Sequence, residues 1–206
     1  MVDAATSFKK AGYSEEDSAQ LALVASLYQN IADEALSAGE SADFIISQMK
    51  AFNLTAADSE HIVNAVNEIS NNMAVSSADL ATNIGKASAA LAVGNNTYEE
   101  SLSLMAGIVE ITRNGAKAAR SLVSVQSRLN QTIDESSSTG KALTKWYSDH
   151  NIAILDQTGQ LRSLYDVLTD VAKIWPDLTT NEKDYYLNQQ AGKFVPQIKA
   201  NMREVA

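Results

Sequence analysis

Within 206 residues, 25 Asp and Glu outnumber 16 Lys and Arg, giving a net charge of −9, while 45% of the residues are apolar. That balance supplies material for a core and argues against disorder, and the acidic excess without a basic stripe argues against direct nucleic-acid binding. The lack of cysteine excludes a disulfide framework, a thiolate zinc site and a cysteine nucleophile.

The only prolines are Pro176 and Pro196, so residues 1–175 lack the strongest helix breaker. Helical periodicity begins with Leu21, Val24, Ala25, Tyr28, Ala32 and Ala35. Ser14, with Asp17 three residues on, caps a helix expected over about Ser14 to Ser37. Ala38-Gly39-Glu40 breaks that pattern, and Ser41 opens a second helix carrying Phe44, Ile45, Met49 and Phe52 up to Asn53. Thr55 with Asp58 starts a third, whose stripe is Ile62, Ala65, Val66, Ile69 and Met73.

Ser76-Ser77-Ala78-Asp79 caps the next helix, where Gly85, Ala87, Ser88, Ala89 and Ala90 would let a neighbour approach closely, and Gly94-Asn95-Asn96 stops it. Thr97 with Glu100 begins a helix carrying Leu102, Met105 and Val109, ended by Asn114-Gly115. Ala118, Leu122, Val125 and Leu129 define a further stripe, running to a polar linker at Asp134–Gly140. Ser14, Thr55 and Thr97 stand 41 and 42 residues apart, the size of a two-helix repeat.

After the linker the pattern changes. Ile152, Ile154 and Leu155 suit a short extended segment before the turn Asp156-Gln157-Thr158-Gly159. A helix beginning near Leu161 carries Leu164, Tyr165, Leu168, Val171, Ala172 and Trp175 and closes at Pro176. Thr179 with Glu182 caps the last helix, which ends at Gly192. The fold expected is all-α: paired antiparallel helices in roughly 40-residue repeat-like units over residues 1–135, and a smaller helical C-terminal subdomain over 136–206, with an extended segment and turn near 152–160. The tail Met202–Ala206 carries no helix stop, which reads as the end of an excised fragment.

Chemistry finds little footing in these residues. His61 and His150 are the only histidines, the residue type most often used for proton transfer at neutral pH. Asp58 and His61 sit three apart, but bundle metal sites draw on several such pairs, so a capping aspartate beside a surface histidine is the better reading. Asp149 and His150 are adjacent and do not face each other on a helix. Asp156–Gly159 lacks the alternating carboxylates and closing glutamate of a calcium loop. Asn53, Asn95 and Asn130 begin glycosylation-type triplets that read as chance matches without a secretory signal. No Walker or G-x-G-x-x-G loop occurs, and no stretch approaches the roughly 18 to 20 apolar residues of a membrane span. No catalytic, cofactor or metal residue is assigned, and the chain is expected not to be an enzyme. Trp146, Tyr147, Trp175, Tyr185, Tyr186 and Phe194 concentrate in the last third, as core or as interaction surface.

Blocks in order along the chain resemble the helical region of tail tape measure proteins of long-tailed bacteriophages and prophages. They are Phe8–Glu16 and Ala51–Asp58; then Asn71–Leu80, Ile84–Gly94, Tyr98–Ile108 and Thr112–Leu122; then Ile154–Arg162 with its D-x-x-G-x-x-R pattern, Leu164, Leu168, Trp175, Leu178–Lys183 and Ala191–Lys193. The resemblance implies a noncatalytic structural protein acting in tail assembly and tail-length determination. Its implied partners are tail-tube proteins, tail assembly chaperones and tail-tip or baseplate proteins, with self-association an open choice. Its implied place is the tail lumen of the virion, after assembly in the host cytoplasm. As one helix, 206 residues would span about 310 Å, and the frequent caps forbid that, so a packed part of a longer chain is expected. The competing reading is a helical-repeat adaptor that binds a partner protein in a concave groove.

Overall fold

Helix starts in this chain are fixed by side chains that reach back to the first free amides. The computed structural model describes residues 2–33, 35–134 and 136–192. Among the described residues there are ten α-helices and no strand beyond one isolated antiparallel bridge, Leu155 to Leu161, so the protein is all-α. The helices are α1 (Val2–Lys10), α2 (Glu15–Ile31), α3 (Ala38–Phe52), α4 (Ser59–Asn72), α5 (Ser77–Val93), α6 (Tyr98–Thr112), α7 (Gly115–Asn130), α8 (Ser138–Asp149), α9 (Leu164–Ile174) and α10 (Thr180–Gln190).

The expected caps at Ser14, Thr97 and Thr179 are present. The Asp17 amide donates to Ser14 Oγ at 3.0 Å. Thr97 and Glu100, and Thr179 and Glu182, form reciprocal capping boxes. The Thr55 amide and hydroxyl both donate to Asp58 at 2.7 Å, opening a 3-10 turn ahead of α4.

Several boundaries differ from the sequence reading, each for a local reason. Residues Val2–Lys10 form a helix that the pattern did not signal. α2 stops at Ile31, and Ser37, not Ser41, caps α3 in a box with Glu40, so Gly39 lies in a first turn and not in a break. α6 ends with Arg113 in the left-handed region at φ 49°, and Asn114 begins the next helix by accepting from the Lys117 amide at 2.8 Å. Gly140 belongs to α8: a Cβ there would lie 1.9 Å from the Gln131 carbonyl oxygen, so the glycine permits contact and does not mark a linker. α9 starts at Leu164 behind Ser163, three residues later than expected. The tail at Met202–Ala206 lies outside the described residues.

Two compact units divide the chain, Met1–Ala89 and Ala90–Ala206. In the first, α1, α2 and α3 pack on one another, and α4 packs against α2 and α3. Phe8, Leu21, Tyr28, Ile45, Met49 and Ile62 are fully buried between them. The small residues of α5 serve as expected: a Cβ on Gly85 would sit 2.9 Å from Ser47 Oγ, and Ser88 Oγ donates to buried Gln48 Oε1 at 2.7 Å. Beyond the end of α2, Asp33 Oδ1 accepts from Ser77 Oγ at 2.7 Å, Ser76 Oγ at 3.2 Å and the Ala78 amide at 3.3 Å. The buried Tyr28 hydroxyl donates to the Ser77 carbonyl at 2.8 Å. The start of α5 is therefore capped from 44 residues away.

The second unit pairs α6 with α7, lays α8 and α10 against α7, and sets α9 on α6. Its polar centre is Asn96, which is 4% exposed. Asn96 Nδ2 donates to the Leu91 carbonyl at 2.8 Å and to Gln126 Oε1 at 2.9 Å, and Asn96 Oδ1 accepts from the Tyr165 amide at 3.1 Å. Gln126 crosses so close to the turn that a Cβ on Gly94 would lie 2.0 Å from Gln126 Nε2.

Gly94→Ala is expected to destabilise the chain by about 1–3 kcal/mol, since the added methyl displaces a buried, hydrogen-bonded glutamine; an unchanged urea midpoint would contradict the close approach. Partial burial opposes ionisation of Asp33, yet the Ser77, Ala78 and Ser76 hydrogen bonds outweigh it and hold the carboxyl below its usual range. A depressed folded-state pKa stabilises above the unfolded value and is lost as pH falls through the folded one. Acid titration of thermal stability below about pH 4 should therefore be shallower in Asp33→Asn than in wild type.

Candidate interaction surface

Trp146, Tyr147, Trp175, Tyr185 and Tyr186 lie on α8, the turn after α9, and α10. Adjacent helical positions point about 100° apart, so Tyr186 is fully buried while Tyr185 remains 45% exposed. Trp146 packs on the Tyr186 ring at 4.4 Å between centroids and stacks on His150 at 4.1 Å. Trp175 meets Tyr186 edge-on at 6.1 Å and carries the Lys183 ammonium over its outer face. The Tyr147 hydroxyl donates to Gln190 Oε1 at 3.0 Å and lies 3.3 Å from the Tyr186 hydroxyl. Gln190 Nε2 in turn donates to the Val125 carbonyl at 3.1 Å. Burial pushes both tyrosine hydroxyls well above the ordinary phenol range, so they act as neutral hydrogen-bonding groups. The cluster is core, with Tyr185 as its solvent-facing member. Phe194 lies outside the described residues.

Each residue weighed for chemistry holds local structure. Hydrogen bonds from the Thr55 side chain and backbone keep Asp58 below the usual carboxylate range, with His61 adding a smaller electrostatic contribution. His150 has Nδ1 2.7 Å from the Trp146 carbonyl and Nε2 3.8 Å from Glu182, whereas Asp149 pairs with Lys145 at 2.7 Å. Asn53 ends α3 in the left-handed region, Asn95 Nδ2 donates to the Leu161 carbonyl at 2.7 Å, and Asn130 Oδ1 accepts from Gln126 at 2.8 Å. Among the described residues, no group of three or more His, Asp or Glu could hold a metal ion, and no helix is long and apolar enough to cross a membrane.

The D-x-x-G-x-x-R segment is a self-contained loop. Asp156 Oδ1 accepts from the Thr158 amide and hydroxyl and from the Gln160 amide. Gly159 takes φ +82°, a conformation that L side chains rarely adopt. Arg162 Nη1 donates to the Ala153 carbonyl at 2.7 Å and to Asp170 at 2.8 Å, fastening the loop to α9.

Two outward faces were not singled out from sequence. On α2, Glu16, Gln20, Leu23 and Leu27 recur at four- and three-residue steps, all exposed, with Leu23 61% exposed and Leu27 47%. The helix is thus apolar on both sides. On α7, Arg120 is exposed and borders an open groove of about 460 Å³ together with Val123, Ser124, Ser127 and Arg128. The signal that could have revealed this face is the acid-free run 111–133, which contains Arg113, Lys117, Arg120 and Arg128.

The family model described as phage-related minor tail protein matches residues 1–192. The chain belongs to that family. It is a bacteriophage tail protein with a structural role in the tail, a component of the virion that works among other tail proteins. No solved structure matches it. Within this family member, the buried Tyr147–Gln190–Tyr186 group is expected to act through stability. Tyr147→Phe leaves Gln190 Oε1 without its donor and should cost about 1–3 kcal/mol, read as a lower urea midpoint with unchanged helical circular dichroism.

Proposed function

We propose that this chain is a packed helical segment of a tail tape measure protein, noncatalytic, taking part in tail assembly and the setting of tail length. The family match across residues 1–192 carries the reading, together with the ordered tape-measure-like blocks of the sequence. Helix length supports it further. Among the described residues the longest helices, α2 and α5, have 17 residues and reach about 26 Å. This segment therefore does not measure length by extension as one rod, and acts as a packed module of a longer ruler. Tail-tube subunits, assembly chaperones and tail-tip or baseplate proteins are its proposed partners, and the tail lumen its proposed place, reached after assembly in the host cytoplasm.

In a phage carrying the full gene, in-frame removal of residues 14–133 should abolish tails or alter their length in electron micrographs. Normal tails of unchanged length would refute the reading.

A further inference from the structure

We propose that the cationic face of α7 docks the acidic, leucine-bearing face of α2 from a second copy of this chain. Charge is distributed unevenly along the sequence. Residues 1–89 carry 12 Asp and Glu against 4 Lys and Arg, a net −8, whereas residues 111–133 carry four Lys and Arg and no acid. One chain thus holds both a strongly negative unit and a positive helix.

The two faces match in form as well as charge. α2 opens with Glu15, Glu16 and Asp17 and continues outward through Gln20, Leu23 and Leu27. Lys9 engages Glu15 and the Ser14 hydroxyl engages Asp17, which leaves Glu16 as the exposed carboxylate on the seam. α7 carries Lys117, Arg120, Ser124 and Ser127 along one side, also at three- and four-residue steps. Its groove offers Arg120 and Arg128 for carboxylates, and Val123 with the arginine stems for leucine side chains. Arg128 also donates to the Gln189 carbonyl at 2.6 Å, which holds it in place at the groove edge.

Exposed leucines four apart beside an acidic turn are the chemistry of a helix that lies in a groove. The overall charge of −9 favours a protein acid over a nucleic-acid phosphate as the occupant. The contact joins different surfaces of two copies. It therefore leads to a ring or an open chain, unless two such contacts close a pair.

Light scattering on the eluting 206-residue chain tests this at low salt (about 0.01 M) and high salt (about 1 M), where the screening length falls from about 30 Å to about 3 Å. Expected at low salt is a mass above one copy that rises with concentration and falls back as salt is added. Arg120→Glu and Glu16→Arg should each weaken association about tenfold, and the double variant should restore it. Glu60→Arg makes the same charge change on α4, away from the seam, and should leave the mass unaltered. Helical circular dichroism confirms that each variant is folded. A single-copy mass at every concentration, insensitivity to Arg120→Glu, or equal damage from Glu60→Arg would overturn the proposal. So would retention of duplex DNA by a chain that does not self-associate.

Discussion

A buried carboxamide must find partners for both its oxygen and its NH2 group, and Asn96 does so with atoms from three directions. Its amide reaches back to Leu91 near the end of α5 and across to Gln126 on α7, and its oxygen receives the Tyr165 amide at the start of α9. Gln126 passes a hydrogen bond on to Asn130. One residue earlier on α7, Gln190 joins the Val125 carbonyl to Tyr147 and so ties α10 and α8 to the same helix. In a low-dielectric interior such groups specify one arrangement, because any slip leaves a donor or acceptor unpaired at considerable cost. Hydrophobic packing alone would tolerate several positions of α7.

The first unit solves the same problem from its surface. Asp33 lies past the end of α2 and gathers two hydroxyls and one amide at the start of α5. The Tyr28 hydroxyl meets the same turn from within. Ordinary helix caps come from the residue just ahead of the helix. Here Ser76 caps the Asp79 amide locally, and Asp33, distant in sequence, adds a second acceptor at the same helix start.

What could be read from sequence follows from this distinction. The boxes at Thr97 and Thr179 need only a hydroxyl and a glutamate three residues apart, and both are in place. Ser37 with Glu40 has the same spacing and caps α3, although Gly39 between them resembles a break, because glycine in a first turn costs little of the hydrogen-bond ladder. Gly140 invites the opposite error, since its purpose is set by the Gln131 carbonyl lying against it. The turn at Asp156 needs only local chemistry, a carboxylate that accepts from the Thr158 and Gln160 amides. The links from Gln48 to Ser88 and from Asn96 to Gln126 span 40 and 30 residues and leave no local pattern. The outward faces of α2 and α7 were hidden for another reason: periodicity singles out the stripe that faces the core, and a helix apolar on both sides blurs it.

The D-x-x-G-x-x-R segment proves to be architecture, in which one carboxylate organises the turn, one glycine allows it and one arginine fastens it. The absence of cysteine takes on a mechanical meaning beside it. With no cysteine in the sequence, no disulfide joins distant residues, and the ties among the described residues are hydrogen bonds, ion pairs and packed surfaces. Drawn out completely, the 206 residues would reach about 700 Å, many times the length of any helix they form. No disulfide therefore stands between the folded chain and that full reach.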